Sequence, residues 1–334
     1  MLQSPKPELI IVGNGVHARE VLVPAIASLG RARIVGFCDL DVTLARSLAN
    51  RYDVGNAGTV AKEMIDELSP TAVVLAGSPF MHVEVGTYAL EAGCHVLVEK
   101  PPALSVRGLA RLADAAKTSG KIGMVAHNLR YTAAWRRATE RISFNDLTSM
   151  SIAYHASGPT GERWGLMPHE SFLLSHAIHA FDLLNAALGP AVSTRHHVKD
   201  AGQGRFALTS QWHSPEDVLG AAVVSTCAPR FDWTVQFTTA TPSLVNLYSP
   251  SSVVLHGPRT QDAWGSGQRD AWLTRSLESG YESAGYGAEI IHFLDCIEGI
   301  VLPMPSFADE LAVYRALDSV YEQSGLLRSD SYEY

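Results

Sequence analysis

The six residues Gly13-Asn14-Gly15-Val16-His17-Ala18 constrain this chain more than any other stretch. They follow the apolar run Leu9-Ile10-Ile11-Val12 directly and open a helical pattern from about Ala18 to Ser28. A GxGxxA turn between a buried strand and a helix is the geometry of a dinucleotide-binding crevice. Gly13 permits the tight turn, Gly15 lets backbone approach a pyrophosphate, and Ala18 keeps the helix close to the sheet. The helix N-terminus offers free N–H groups and partial positive charge to phosphate. A second strand, Ile34 to Cys38, ends at Asp39, 24 residues after Gly15. A carboxylate there can accept hydrogen bonds from ribose hydroxyls and repel a 2′-phosphate; capping the next helix is its competing role. Positions 40–44 carry no Arg or Lys. NAD is therefore the expected cofactor, with NADP the alternative.

Strand and helix patterns alternate over the first 125 residues. Helices are expected at about Thr43–Tyr52, Val60–Leu68, Val83–Ala92 and Val106–Ser119. Further strands are expected at Ala72–Ala76, His95–Val98 and Ile122–Val125. Short apolar strands without alternation are buried on both faces, which predicts a doubly wound parallel sheet. The pattern changes after about residue 130. Helices are expected near Ala133–Arg141 and Phe172–Ala187, a β-rich stretch over about 191–275, and closing helices near Ala288–Glu298 and Phe307–Gln323. The fold class is α/β: an N-terminal Rossmann domain over 1–127, then an α+β domain over 128–334 with a mostly antiparallel open sheet. The last helix is a candidate to pack back on the first domain.

Composition excludes several classes. A net charge of −8 argues against an electrostatic nucleic-acid binder. No apolar run approaches the roughly 18–20 residues needed to cross a bilayer. The start, Met1 to Pro7, lacks a signal-like apolar region. Cys38, Cys94, Cys227 and Cys296 are scattered without metal-binding spacing, which fits a reduced, cytoplasmic chain.

Glu99-Lys100-Pro101-Pro102 follows the strand His95–Val98, at the carboxyl edge of the expected parallel sheet. With the glycine turn, this run resembles the glucose–fructose oxidoreductase / inositol dehydrogenase / MocA (Gfo/Idh/MocA) family, whose hallmark here is EKP. Gly77-Ser78-Pro79 with His82 looks like the family's loop beside the nicotinamide ribose. Asn128-Leu129-Arg130-Tyr131 looks like its inter-domain segment, and His179-Ala180-Phe181-Asp182 like the HxxD of its catalytic helix. The resemblance implies that Lys100 fixes substrate and cofactor and that His179 gives or takes the proton during hydride transfer. Imidazole suits that task because its ordinary pKa is about 6.5. It also implies that Ser78, Pro79, His82, Glu99 and Asn128 lie along the cofactor and Arg130 near substrate. Dimers or tetramers through the second sheet follow by the same resemblance.

The chain departs from the family before HxxD. Ser175 stands where the family carries Asp, four residues before His179, and at that spacing two residues share a helix face. Serine can hydrogen-bond a substrate but carries no charge, so the usual Lys–Asp–His relay is incomplete. His169, Glu170 and His176 are candidates to bind substrate in compensation; helix N-terminal electrostatics is the other role for His169 and Glu170. His176, His179 and Asp182 have a spacing that can hold a metal, though the resemblance calls for none. Trp164, in a loop before that helix, is a candidate to stack on substrate.

The expectation is an NAD(P)-dependent oxidoreductase moving hydride to or from a C–O or C–N carbon of a small polar substrate: a sugar, a cyclitol or a related carbonyl or imine. Two alternatives stand beside it. One retains NAD and uses transient oxidation for elimination or hydrolysis. The other binds nucleotide without redox turnover, as a sensor or partner protein.

Overall fold

The computed structural model describes residues 5–241, 243–248, 252–256, 269–273 and 283–329. The chain forms two compact units: Met1–His127 with Tyr286–Leu311, and Asn128–Gly285 with Ala312–Tyr332.

The first unit alternates β1 (Glu8–Val12), α1 (Val23–Leu29), β2 (Arg33–Cys38), α2 (Val42–Tyr52), β3 (Asn56–Gly58), α3 (Ala61–Leu68), β4 (Ala72–Leu75), α4 (Pro79–Glu91), β5 (His95–Glu99), α5 (Val106–Ser119) and β6 (Gly123–Ala126). All its strand pairs are parallel, in the order β3-β2-β1-β4-β5-β6. The strand order reverses between β1 and β4, which opens a crevice at their carboxyl ends. Leu9–Val12, Ala72–Leu75 and Val96–Val98 are fully buried, as a sheet covered on both faces requires.

Two local features differ from the expectation. The helix after the glycine turn begins as a π turn, Ala18–Leu22, before α1. Strand β3 is only Asn-Ala-Gly, too short and polar for a hydrophobic pattern to reveal. It exists because Gly36, Phe37 and Cys38 of β2 offer it a parallel partner.

Helix α9 (Tyr286–Ile297) and the residues after it to Leu311 group with this unit. The reason is the edge strand β6. Met124 bridges Ser306 and the Val125 N–H donates to the Pro305 carbonyl at 3.0 Å, so the sheet edge is covered. Phe307 fills the space over Gly123, where a Cβ would lie 2.4 Å from its ring. Arg31 ties the same segment by ion pairs to Asp295 (2.7 Å) and Glu298 (2.8 Å).

The second unit begins with a 3-10 turn, Asn128–Tyr131, then α6 (Ala133–Thr139) and the long strand β7 (Leu147–Ser157). Next come α7 (Pro168–Phe172), a π turn (Leu173–Ala177) and α8 (Ile178–Leu188), one continuous helical run starting four residues earlier than expected. Strands β8 (Ser193–Gly202), β9 (Arg205–His213), β10 (Leu219–Ala228), β11 (Asp232–Thr239), β12 (Ser243–Tyr248), β13 (Ser252–His256) and β14 (Arg269–Leu273) follow. Helix α10 (Phe307–Ser324) ends the ordered elements.

The sheet order is β14-β13-β12-β11-β7-β10-β9-β8. Pairing is antiparallel except between β7 and β10. Strand β7 lies outside the stretch read as β-rich, yet Met150, Ile152, Tyr154 and Ala156 alternate with more exposed residues. It occupies the middle of the sheet, so its side chains sit on the most rigid strand of the unit. Trp212, Val224, Trp233, Phe237 and Leu247 bury the inner face.

Candidate functional site

In the first unit the crevice is built from backbone. Gly13 has φ of +86°, and a Cβ there would lie 2.6 Å from the Ala76 carbonyl oxygen, so only glycine fits. A Cβ on Gly15 would meet no atom within 4 Å. The turn is thus closed against the sheet at Gly13 and open at Gly15, as a phosphate cradle must be. Asn14 is fully buried and its Nδ2 donates to the Cys38 carbonyl at 2.9 Å. Ala18 is fully buried, whereas Val16 is 67% exposed.

The Asp39 carboxylate accepts from the Asn14 N–H at 2.6 Å and the Asp41 N–H at 2.9 Å. Capping of α2 falls to Asp41 instead, which accepts from the Thr43 N–H. Asp39 therefore joins the glycine turn to the end of β2, and its remaining lone pairs are available to a ribose. Beside it runs a cleft of about 540 Å³ lined by Gly13, Asp39, Leu40, Thr59, Val60, Gly77, Ser78, Phe80 and Met81. Leu40, Val60 and Phe80 are exposed apolar side chains there. Such a lining suits the flat faces of an adenine, so the residues present fit a dinucleotide. Leu40, Val60 and Phe80 are not part of the sequence reading of the site; the signal they carry is an exposed apolar residue shortly after a strand end. Asp39→Ala should lower NAD affinity by about ten- to a hundredfold, the worth of hydrogen bonds to a charged acceptor, and NADP affinity far less. Calorimetric titration with each nucleotide checks this.

Ser78 and Pro79 start α4: the Ser78 Oγ accepts from the Met81 N–H at 3.3 Å and Pro79 takes the first turn. His82 is fully engaged with backbone. Its Nε2 accepts from the Gly77 N–H and its Nδ1 donates to the Pro101 carbonyl, both at 3.0 Å. It ties the Gly77–Pro79 loop to the residue after Lys100. Burial pushes its pKa down to about 4, against the smaller opposing effects of that carbonyl and Glu99. The unfolded chain therefore binds a proton that the native one refuses between about pH 4 and 6.5, and stability rises with pH across that window. The full effect is about 3 kcal/mol. Urea unfolding of wild type and His82→Gln at pH 5 and 7 should show a smaller pH difference in the variant.

Glu99 ends β5. Burial pushes its carboxyl up, and the 3.0 Å hydrogen bond from His17 with the charges of His17 and Lys100 more than offsets this, holding it below the ordinary range. Glu99 thereby fixes His17, whose ring meets Tyr286 edge-on at 5.3 Å. Lys100 follows on the loop, half-buried.

In the second unit, Arg130 and Asp182 form a buried pair. The Arg130 Nε lies 2.9 Å from both Asp182 carboxylate oxygens and its Nη2 2.6 Å from Oδ1. The two side chains are 7% and 1% exposed. This pair pins the 3-10 turn to α8, and it occupies the guanidinium read as a substrate group. The Asn128 Nδ2 donates to the Ala284 carbonyl at 2.9 Å, a bond within the same unit.

Glu170 is fully buried. One of its oxygens accepts from the Met167 N–H at 2.8 Å, closing the N-terminus of α7, and the other from the Ser329 N–H at 2.9 Å. His169 Nε2 donates to the Leu327 carbonyl at 2.8 Å. Both side chains therefore anchor the segment after α10, and burial rather than helix electrostatics alone explains the pair. Trp164 is half-buried with φ of +55°, rare for a bulky residue.

Ser175 lies inside the π turn and His179 in α8, so their i,i+4 relation spans a junction where regular helical spacing is interrupted. Ser175 is 7% and His179 5% exposed. Facing them from β7 is Tyr154, which sequence reasoning missed because a tyrosine at an inward strand position reads as core. Its ring stacks on His179 at 5.7 Å and 17°, and lies 6.1 Å from the His176 ring. Phe231 meets it edge-on at 5.4 Å. Burial pushes the Tyr154 phenol well above its ordinary pKa, so it stays protonated.

A doubly wound sheet whose reversal point carries an open glycine cradle defines a dinucleotide-binding unit. Residues 8–127 match the family model described as "Oxidoreductase family, NAD-binding Rossmann fold" (GFO_IDH_MocA), so the first unit is similar to the NAD-binding domain of those oxidoreductases. The chain is 26% identical over 204 residues to the D-glucoside 3-dehydrogenase of Escherichia coli K12, a match covering 58% of this chain and 57% of that protein. It is 26% identical over 206 residues to the 1,5-anhydro-D-fructose reductase of Ensifer adhaerens, covering 58% and 61%. The matched stretch thus spans less than two thirds of either relative. Among solved structures, a dehydrogenase from Chromobacterium violaceum superposes with a TM-score of 0.90 at 26% identity over 96% of both chains.

Proposed function

We propose that this protein is an NAD-dependent dehydrogenase of pyranoses or pyranosides, oxidising a ring secondary alcohol to a ketone. The observation that carries the reading is the setting of His179: its imidazole stacks on the neutral Tyr154 ring, and Ser175, with a buried hydroxyl that has no partner, stands four residues before it where a carboxylate would add charge. That setting suits a neutral polyhydroxylated substrate, and the two sugar-oxidoreductase relatives support the class. Bound NAD supplies the hydride acceptor.

The chain's own residues do the rest. The Gly13–Ala18 turn and Asp39 hold the dinucleotide, with the cleft around Leu40 and Phe80 for its adenine. Lys100 holds the reacting oxygen by its charge and favours the developing alkoxide. His179 takes the hydroxyl proton, and returns it in the reverse direction. Ser175 hydrogen-bonds the substrate without adding a charge, so the proton stops at His179 instead of passing to a carboxylate. Trp164 remains a candidate platform for the sugar's apolar face.

The reading extends to assembly in a cytoplasmic setting. Leu219 and Val223 of β10 are exposed on the outward face of the second sheet, and pairing of that face between copies would bury them. Among the described residues no helix is long and apolar enough to cross a membrane.

The test is titration with NAD, NADH, NADP and NADPH, followed by a screen of methyl glucosides, 1,5-anhydro-D-glucitol and myo-inositol with the nucleotide that binds. Exchangeable NAD and sugar-dependent NADH formation support the reading. A nucleotide that co-purifies and does not exchange would favour the internal redox cycle for elimination or hydrolysis. Binding without turnover on any substrate would favour the sensor.

A further inference from the structure

We propose that Tyr154 is a second substrate-binding residue of this site, whose ring positions His179 and whose hydroxyl, with the Ser175 Oγ, forms the hydrogen-bonding edge for a neutral polyol. The proposal rests on the reading of His179 as the proton carrier.

Three observations within the second unit support it. First, Tyr154 is held rigidly. It sits on the central strand β7, opposite Val224 of β10 and Trp233 of β11, both buried. Phe231 supports the ring edge-on. Second, the stack on His179 is nearly parallel, at 17°. A parallel stack restrains the plane of the imidazole, while its nitrogens bond within that plane. The ring can therefore be fixed without blocking proton transfer.

Third, two hydroxyls beside this imidazole lack partners. Tyr154 is 5% exposed, and its hydroxyl makes no hydrogen bond among the described residues. Ser175 is 7% exposed, and its Oγ is buried with no hydrogen-bond partner. A folded chain seldom leaves a buried hydroxyl such as the Ser175 Oγ unsatisfied, and with a phenol that has no protein partner on the ring stacked against His179 it points to a ligand that completes both. The groups that would meet the ligand are a phenol, an alcohol and an imidazole. Arg130 and Asp182 are engaged with each other. Vicinal hydroxyls, each both donor and acceptor, match such an edge.

The two roles separate by substitution. Tyr154→Phe keeps the ring and removes the hydroxyl; Tyr154→Leu removes both. With methyl β-D-glucopyranoside and NAD, the Phe variant should raise KM about tenfold, the worth of one lost hydrogen bond, with kcat within about twofold. The Leu variant should lower kcat by a further tenfold or more, as expected when a reacting group loses its orientation. NADH binding should be unchanged in both, and the native fluorescence of the buried Trp212 and Trp233 should be kept, which shows that the second unit is folded. The ring-current shift of the His179 ring protons should persist in the Phe variant and vanish in the Leu variant.

An unchanged KM in the Phe variant, or equal kcat in the two variants, would overturn the proposal. If the wild type is active and Tyr154→Phe matches it, this inference alone fails. If the wild type oxidises none of the sugars, the reading of the site fails and takes this inference with it.

Discussion

Replacing His179 by alanine should lower kcat by about a hundred- to ten-thousandfold, the range that a positioned acid–base group contributes. NADH binding should stay within about twofold of wild type, because the dinucleotide fit is built from Gly13, Gly15, Asp39 and the Leu40–Phe80 cleft of the other unit. KM for the sugar should change little, since the imidazole acts on the proton in flight more than on the ground state. Added free imidazole should restore part of the rate, because the alanine variant leaves room beside the Tyr154 ring. Stopped-flow hydride transfer with and without imidazole measures both effects. A variant that loses NADH binding and sugar turnover together would signal collapse of the fold. One that keeps full turnover would remove His179 from the mechanism.

Asp182→Ala should destabilise the second unit by about 3–5 kcal/mol. It removes the carboxylate that accepts every short hydrogen bond of the Arg130 guanidinium to that side chain, at 2.6–2.9 Å. The guanidinium then loses its carboxylate partner in a position only 7% exposed. Arg130→Met should cost a similar amount, and the double variant Arg130→Met with Asp182→Leu should recover much of the loss, because two neutral side chains leave no stranded charge. Urea unfolding followed by Trp233 and Trp212 fluorescence reports on this unit. NAD affinity should persist in all three variants. If Asp182→Ala were as stable as wild type, the pair would be no anchor, and Arg130 would return as a substrate group.

The Rossmann unit was legible because its information is local. The strand, the glycine turn and the helix are contiguous, and Gly13 is fixed by one short contact with Ala76. The order of the remaining strands follows from handed crossovers. Strand β3 and the edge-covering Met304–Phe307 segment were not legible, because both exist through pairing with distant residues and not through a pattern of their own.

The second unit shows the same division. Its antiparallel hairpins follow from alternation, but β7 inserts between β10 and β11, pairing with residues 70–92 positions away, and only long-range pairing places it there. Lys100 and His179 were singled out by motif. The occupations of His82, Arg130, His169 and Glu170 were not readable, because each depends on a single carbonyl, amide or carboxylate brought in by tertiary structure. A polar side chain in a motif does not announce whether its partner is substrate or backbone. Tyr154 is the converse case: at the level of sequence it is one more inward residue of a strand, and only the stack on His179 distinguishes it.

The central claim is that hydride moves between a sugar ring carbon and the nicotinamide. The most direct measurement uses methyl β-D-glucopyranoside carrying deuterium on the ring carbons that bear its secondary hydroxyls. It is incubated with the protein and NAD, and the reduced nucleotide is weighed by mass spectrometry. The account predicts NADH one deuterium heavier than that formed from unlabelled sugar, and its loss in His179→Ala. Bound NAD that stays oxidised, or NADH without deuterium, would contradict it.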